Sequence, residues 1–219
     1  MSFTTALRPL GLAFTLIAGL SACSSDPDNP NLLADFMGGN DAIEPDETFL
    51  AYEAAGAPAL IMSLQSIPDA FTAFVRQTTN AKGEETWISL DKLSMGMKDG
   101  MIIATRGLGA DQLAGAPYQT LAALKAGRNG ITDRFITHIN GKSQAETLAF
   151  RCSVTFQKQA LVDLGGYTAN TDLYYEDCRN TQTKFRNFFW VERGSRKIVQ
   201  SRQWISDSLG SVALRTLPR

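Results

Sequence analysis

Residues 185–192 read FRNFFWVE, and residues 197–205 read KIVQSRQWI, with Arg193-Gly194-Ser195-Arg196 between them. Both runs are dense in aromatic and β-branched side chains, and Gly194-Ser195 supplies a turn, so the segment is a β-hairpin. A two-residue turn sets Glu192 opposite Lys197, an attractive cross-strand pair that supports this register. Because side chains alternate along a strand, one face then carries Arg186, Phe188, Trp190, Glu192, Lys197, Val199, Ser201 and Gln203. The other carries Phe185, Asn187, Phe189, Val191, Ile198, Gln200, Arg202 and Trp204. A register slip of one residue would reshuffle both faces.

The same grammar repeats upstream. Asn80-Ala81-Lys82-Gly83 sits between Phe71–Thr79 and Glu85–Leu90, and Asp99-Gly100 between Lys92–Lys98 and Met101–Arg106. Asn140-Gly141 joins Arg134–Ile139 to Thr147–Gln157, and Asp172–Cys178 is a further strand. Leu60-Ile61-Met62-Ser63-Leu64 is a short apolar run. One helix is expected near residues 117–126, where Pro117 opens, Leu121 and Leu124 share a side, and Gly127 stops it. These spacings predict a mainly β fold, an antiparallel β roll or barrel built of hairpins with that one short helix. A parallel α/β fold would need crossover helices that the sequence lacks.

The chain has 219 residues, 44% hydrophobic and 20% charged, with 21 basic and 22 acidic side chains. A formal net charge of −1 gives no excess of cations with which to displace phosphate counterions, so nucleic acid is not an expected partner. A mean hydropathy of −0.11 does not suit a multi-span membrane protein.

Residues 1–22 read as an export signal, with Arg8 as the only charge and an apolar run from Pro9 to Leu20. Leu20-Ser21-Ala22-Cys23 matches the bacterial lipobox, in which the cysteine is acylated and the chain is cut before it. Cys23 is therefore the expected lipid attachment point, and several acyl chains at about 0.8 kcal/mol per buried methylene hold firmly. Ser24, rather than Asp, follows it, and the sorting rule of enteric bacteria then places the protein at the periplasmic face of the outer membrane. Residues 23–58 are expected to be a tether and an irregular N-terminal segment, in which 31–37 could form a helical turn or two. The β domain is expected over 59–219.

Cys152 and Cys178 remain after Cys23 is assigned. In an oxidising compartment a disulfide closing 26 residues is the expected state, worth roughly 3.5 kcal/mol by chain entropy. Two free thiols and a metal pair are the alternatives, although His138 is the only histidine available as a further ligand. No metal and no cofactor are expected, since the phosphate-cradling, zinc-protease and redox-cysteine motifs are missing. Gly107-Leu108-Gly109 begins a nucleotide-loop pattern that fails at Gln112. His138, flanked by core-type residues, reads as structural. Glu84/Glu85 and Glu176/Asp177 are neighbours that point to opposite faces of a strand, so neither pair is a catalytic dyad, and solvated charge is the default. No catalytic residue is assigned. Trp190 with Ser201, Gln203 and Arg186 forms a candidate glycan or partner contact, a flat aromatic beside hydroxyl, amide and guanidinium groups. A core aromatic edged by surface polar groups is the plainer reading of the same face.

Three segments in order, Thr86-Trp87-Ile88-Ser89, then DGMIIATRGLG over 99–109, then NFFWVE over 187–192 with Ser201-Arg202-Gln203, carry a resemblance. The sequence resembles the YjbF/GfcB family of bacterial lipoproteins, tied to group 4 capsule and exopolysaccharide production, from Ala59 to Pro218. It departs after Gln203, where family members soon place a proline and this chain has Trp204-Ile205-Ser206-Asp207. The resemblance implies an antiparallel β domain, an outer-membrane lipoprotein and no established catalytic residues. The expected function is non-enzymatic support of capsule or exopolysaccharide production or export, by binding polymer or the export machinery. A polysaccharide-modifying enzyme and a protein-binding envelope scaffold are the alternatives.

Overall fold

In the computed structural model, which describes residues 47–65, 71–164 and 167–217, apolar–polar alternation becomes strand after strand. The first five strands are β1 (Ala59–Leu64), β2 (Phe71–Thr79), β3 (Glu84–Ser89), β4 (Ser94–Lys98) and β5 (Met101–Arg106). They are followed by β6 (Gln112–Ala116), β7 (Gly130–Ile139), β8 (Ala145–Asp163) and β9 (Thr168–Arg179). The last three are β10 (Lys184–Glu192), β11 (Ile198–Ser206) and β12 (Gly210–Leu217). Helix α1 spans Glu47–Ala54 and α2 spans Tyr118–Lys125. All twelve strands form one sheet in the order β5-β4-β3-β2-β1-β12-β11-β10-β9-β8-β7-β6.

Every pairing is antiparallel. The two edge strands, β5 and β6, are consecutive in the chain, and the sheet curls until they meet. At that seam Gln112 donates its backbone N–H to Thr105 Oγ1 at 3.0 Å. Near-closure protects edges that would otherwise recruit other strands. The expected antiparallel barrel-like fold, with its short helix after Pro117, is what forms. Gly127 stops α2 at a φ of +65°, a conformation that suits glycine.

Three elements differ from expectation. Residues 47–54 are helical where the sequence suggests irregular chain; the helix acquires its place because Tyr52 packs on the small cluster around Ala59 and Val75. The run QLAGA forms β6 despite poor strand formers, because β7 pairs with it from Gln112↔His138 to Ala116↔Phe135. Residues 210–217 form β12, which bridges β11 and β1 and so joins the two ends of the chain into one sheet. The stretch 31–37 and Cys23 lie outside the described residues. Among the described residues no helix is long and apolar enough to cross a membrane.

Two of the apolar clusters among the described residues make up most of the inside. One gathers Leu60, Phe74, Trp87, Met95, Ile102, Ile205 and Val212 from β1–β5, β11 and β12. The other packs Leu121 and Leu124 of α2 onto Met101, Val154, Tyr174, Phe189 and Val191, so the helix lies on the inner surface of the curl. Between the helix and the sheet sits a buried ion pair. Arg134 Nη1 lies 3.1 Å from Glu176 Oε2, with side chains 2% and 0% exposed. Thr120 donates to Glu176 Oε1, and Asn187 Nδ2 donates to Oε2 at 2.6 Å. Asn187 Oδ1 in turn accepts the backbone N–H of Trp204 at 2.7 Å. Glu176 is thus not the solvated charge expected from sequence. Its neighbour Asp177 does point to solvent, where Arg186 holds it.

Cys152 and Cys178 are register partners on β8 and β9 and form a disulfide on the inner face, beside Phe150, Trp204 and Ile136. Neither thiol should react with an alkylating reagent in the folded, unreduced protein. Stoichiometric labelling before reduction, read by mass spectrometry, would contradict the bridge. Glu176→Ala should destabilise the fold by about 3–5 kcal/mol, because it strands a buried guanidinium. Replacing the pair by Arg134→Met with Glu176→Leu should cost markedly less. Urea unfolding curves of the two variants check the order.

Candidate functional site

The geometry of the final hairpin decides what the outer surface offers. Glu192 does face Lys197: its N–H donates to the Lys197 carbonyl at 2.8 Å, and its own carbonyl accepts the Arg196 N–H at 2.9 Å. Arg196 takes a φ of +57° to close this turn. The pairing then slips by one residue, from Val191↔Ile198 to Trp190↔Gln200, leaving Val199 as an extra residue in β11. A bulge of this kind turns the side chains that follow it over, here from Gln200 to Gln203, until a second irregularity at Trp204–Ser206.

The predicted four-residue contact is consequently divided. Trp190 and Arg186 remain on the outer face, whereas Ser201 and Gln203 turn inward and are buried. Gln203 has a structural task there. Its Oε1 accepts the Ile102 N–H at 3.0 Å, and its Nε2 donates to the Gly100 carbonyl at 2.9 Å and to Ser201 Oγ at 3.0 Å. It therefore satisfies the backbone of edge strand β5 from across the interior. Gln200 and Arg202 take the outer places beside Trp190 and Phe188.

The outer face is built in rows across β8, β9, β10 and β11. Arg151, Arg179 and Lys184 are successive register partners, and Ser153, Asp177 and Arg186 form the next row. Tyr175, Phe188 and Arg202 follow, then Lys158, Leu173, Trp190 and Gln200. The aromatic rings interlock. Tyr175 meets Phe188 edge-on at 4.7 Å, and Phe188 lies nearly parallel to Trp190 at 6.3 Å. The Arg202 guanidinium sits 3.8 Å over the Phe188 ring, and that of Arg186 4.8 Å from the Tyr175 ring. Cations over aromatic faces are attracted by the ring quadrupole. The tip of the β8–β9 hairpin packs Val162, Leu164 and Ala169 against Val199 and the edge of Trp190.

Two adjoining concavities run along these rows and share Phe188 and Arg202. One, about 690 Å³, lies beside the three-cation row; the other, about 550 Å³, is floored by Trp190 and Gln200 and walled by Lys158 and Arg215. Their described lining holds seven basic side chains and one acid, Asp177. A carboxylate dyad across this groove is therefore not among its lining residues. The hydrogen bond to Asp177, its largest influence, favours the charged form of Arg186 and raises its pKa. At the end of the same hairpin, hydrogen bonds from Ser195 and then Tyr167 hold the Glu192 carboxyl below its usual pKa.

Other candidate chemistry resolves into structure. The amides of Gly107 and Leu108 are taken by the Asp111 carboxylate at 2.9 and 3.1 Å, so this turn presents no free cradle for a phosphate. His138 is half-buried, with Nδ1 3.3 Å from the Asp111 carbonyl and its ring edge-on to Trp204. A further concavity of about 560 Å³ is lined by the buried Leu60, Trp87 and Met97, and three of its four cations, Arg76, Lys125 and Arg196, each hold a carboxylate.

Fold and groove together define an antiparallel, barrel-like β protein with an aromatic and cationic channel on its outer surface. The chain belongs to the family described as group 4 capsule polysaccharide lipoprotein GfcB, YjbF, whose profile matches residues 39–217. No curated protein matches it by sequence. Among solved structures it is similar to the hypothetical lipoprotein YmcC from Escherichia coli K12, with a TM-score of 0.65 at 14% identity. The likeness covers 89% of this chain and 98% of that one, and it concerns the fold. The family expected from sequence is thus the family found. The departure after Gln203 is accommodated by β11 running on to Ser206 before it turns.

Gln203→Leu should lower stability by about 1–3 kcal/mol for each buried backbone partner it abandons, loosening the β4–β5 hairpin. Hydrogen exchange at Ile102 should accelerate; unchanged protection there would contradict the bracing role.

Proposed function

We propose that this chain is a lipoprotein anchored through Cys23 at the periplasmic face of the outer membrane, and that it supports capsule or exopolysaccharide production by binding polymer without catalysis. The observation that carries this reading is the aromatic row Tyr175–Phe188–Trp190, held half-exposed on an outer sheet face and edged by guanidinium and amide groups. Flat rings with adjacent hydrogen-bonding groups suit the apolar faces and hydroxyl rims of sugars. The family's description supplies the capsule setting. An acid–base pair would favour hydrolysis, and the single groove carboxylate, engaged with Arg186, supports binding instead.

The anchor reading rests on the lipobox. Cys23→Ser should release the protein from the membrane fraction and abolish incorporation of labelled palmitate; retention with unchanged labelling would contradict it. The polymer reading is tested with Phe188→Ala, Trp190→Ala and Arg202→Gln. Each should weaken binding of purified surface polysaccharide roughly tenfold, which corresponds to a contact of about 1–2 kcal/mol. Calorimetric titration measures this, with circular dichroism confirming the fold. Wild-type affinity in all three would remove the groove from the function.

A further inference from the structure

Resting on that reading, we infer that the polymer is a polyanion: the outer groove is built for a glycan bearing carboxylate or other acidic substituents along its length. The charge balance of the whole chain does not foreshadow this, since acids slightly outnumber bases. The fold separates them. Among the described residues Lys158, Arg179, Lys184, Arg202 and Arg215 line the two joined concavities without an ion-pair partner. Of the four cations lining the concavity beside Leu60 and Trp87, three (Arg76, Lys125 and Arg196) are, by contrast, held by carboxylates.

The arrangement carries an internal cost. Arg151, Arg179 and Lys184 stand directly opposite one another on three neighbouring strands. Like charges placed opposite across a sheet repel and destabilise it. Arg151 finds Asp133 at 3.0 Å, but the other two have no acid to offset the repulsion. An external anion would supply that compensation. Arg202 adds a second feature, since its Nε is buried without a hydrogen-bond partner while its guanidinium lies 3.8 Å over the Phe188 ring. The stacked group is thereby oriented in the groove floor, where it can present a planar fork of donors to a carboxylate.

The rows extend for about 20 Å along the strands, at roughly 6.8 Å per two residues. Cations occupy both ends, with rings between them. A chain lying along this track would alternate contacts through sugar faces with contacts through acidic groups. A single small acid would use only one end.

The test uses the full chain in detergent and three probes: polygalacturonate, the same polymer after reduction of its carboxyl groups, and polyglutamate. Polygalacturonate should bind at least tenfold more tightly than its reduced form, and raising NaCl from 50 to 500 mM should weaken it at least tenfold through screening. The exposed double variant Arg179→Gln/Lys184→Gln should lose at least fivefold in affinity for polygalacturonate. Its melting temperature should stay the same or rise, because a repulsion has been removed. Equal binding of the acidic and reduced polymers, or binding indifferent to salt, overturns the polyanion inference and leaves polymer binding standing. Binding of neither polysaccharide overturns both. Polyglutamate binding as tightly as polygalacturonate overturns the glycan as the ligand.

Discussion

The buried pair of Arg134 and Glu176 is the constraint on which the interior depends. Two charges taken out of water are tolerated only where geometry and extra hydrogen bonds replace hydration. Here β7 supplies the guanidinium, β9 the carboxylate, α2 a hydroxyl through Thr120, and β10 an amide through Asn187. Four elements are therefore tied at one point, and Asn187 passes the connection on to β11 at Trp204. Apolar burial around Leu121 and Phe189 accepts many similar arrangements of a helix against a sheet. A carboxylate that must be satisfied accepts far fewer.

The outer groove is the other side of the same strands. Glu176 inward and Asp177 outward alternate on β9, as Asn187 inward and Phe188 outward alternate on β10. Pleating thus couples a rigid polar interior to a patterned exterior, and whatever lies on the aromatic rows lies on strands that the interior holds still. Gln203 extends this bracing to β5, the terminal strand of the sheet order, which meets β6 at the seam.

Much of the architecture was legible because hairpins announce themselves locally. Asp99-Gly100 and Asn80–Gly83 specify turns, and the alternating runs beside them specify strands. The disulfide of Cys152 and Cys178 was expected from the cysteine count and an oxidising compartment, and the structure makes the two residues register partners on β8 and β9. Elements whose formation is enforced by neighbours were less visible. QLAGA has little strand preference of its own, and the residues of α1 show no marked apolar stripe. The candidate contact was half legible. Trp190 and Arg186 face outward as read, but the bulge at Val199 sends Ser201 and Gln203 inside and brings Gln200 and Arg202 out.

What the sequence determined alone is the antiparallel hairpin character, the lipobox, the family and the identity of the aromatic strand. These depend on turn chemistry and short motifs, which act over a few residues. What only the tertiary structure decided is which face each side chain takes beyond Val199, that Glu176 is buried, and that seven cations gather around one acid. The physical reason is that register and closure are collective. One extra residue in one strand inverts the side chains that follow it as far as Gln203, and a charge balance spread along the chain becomes a field only when the sheet curls.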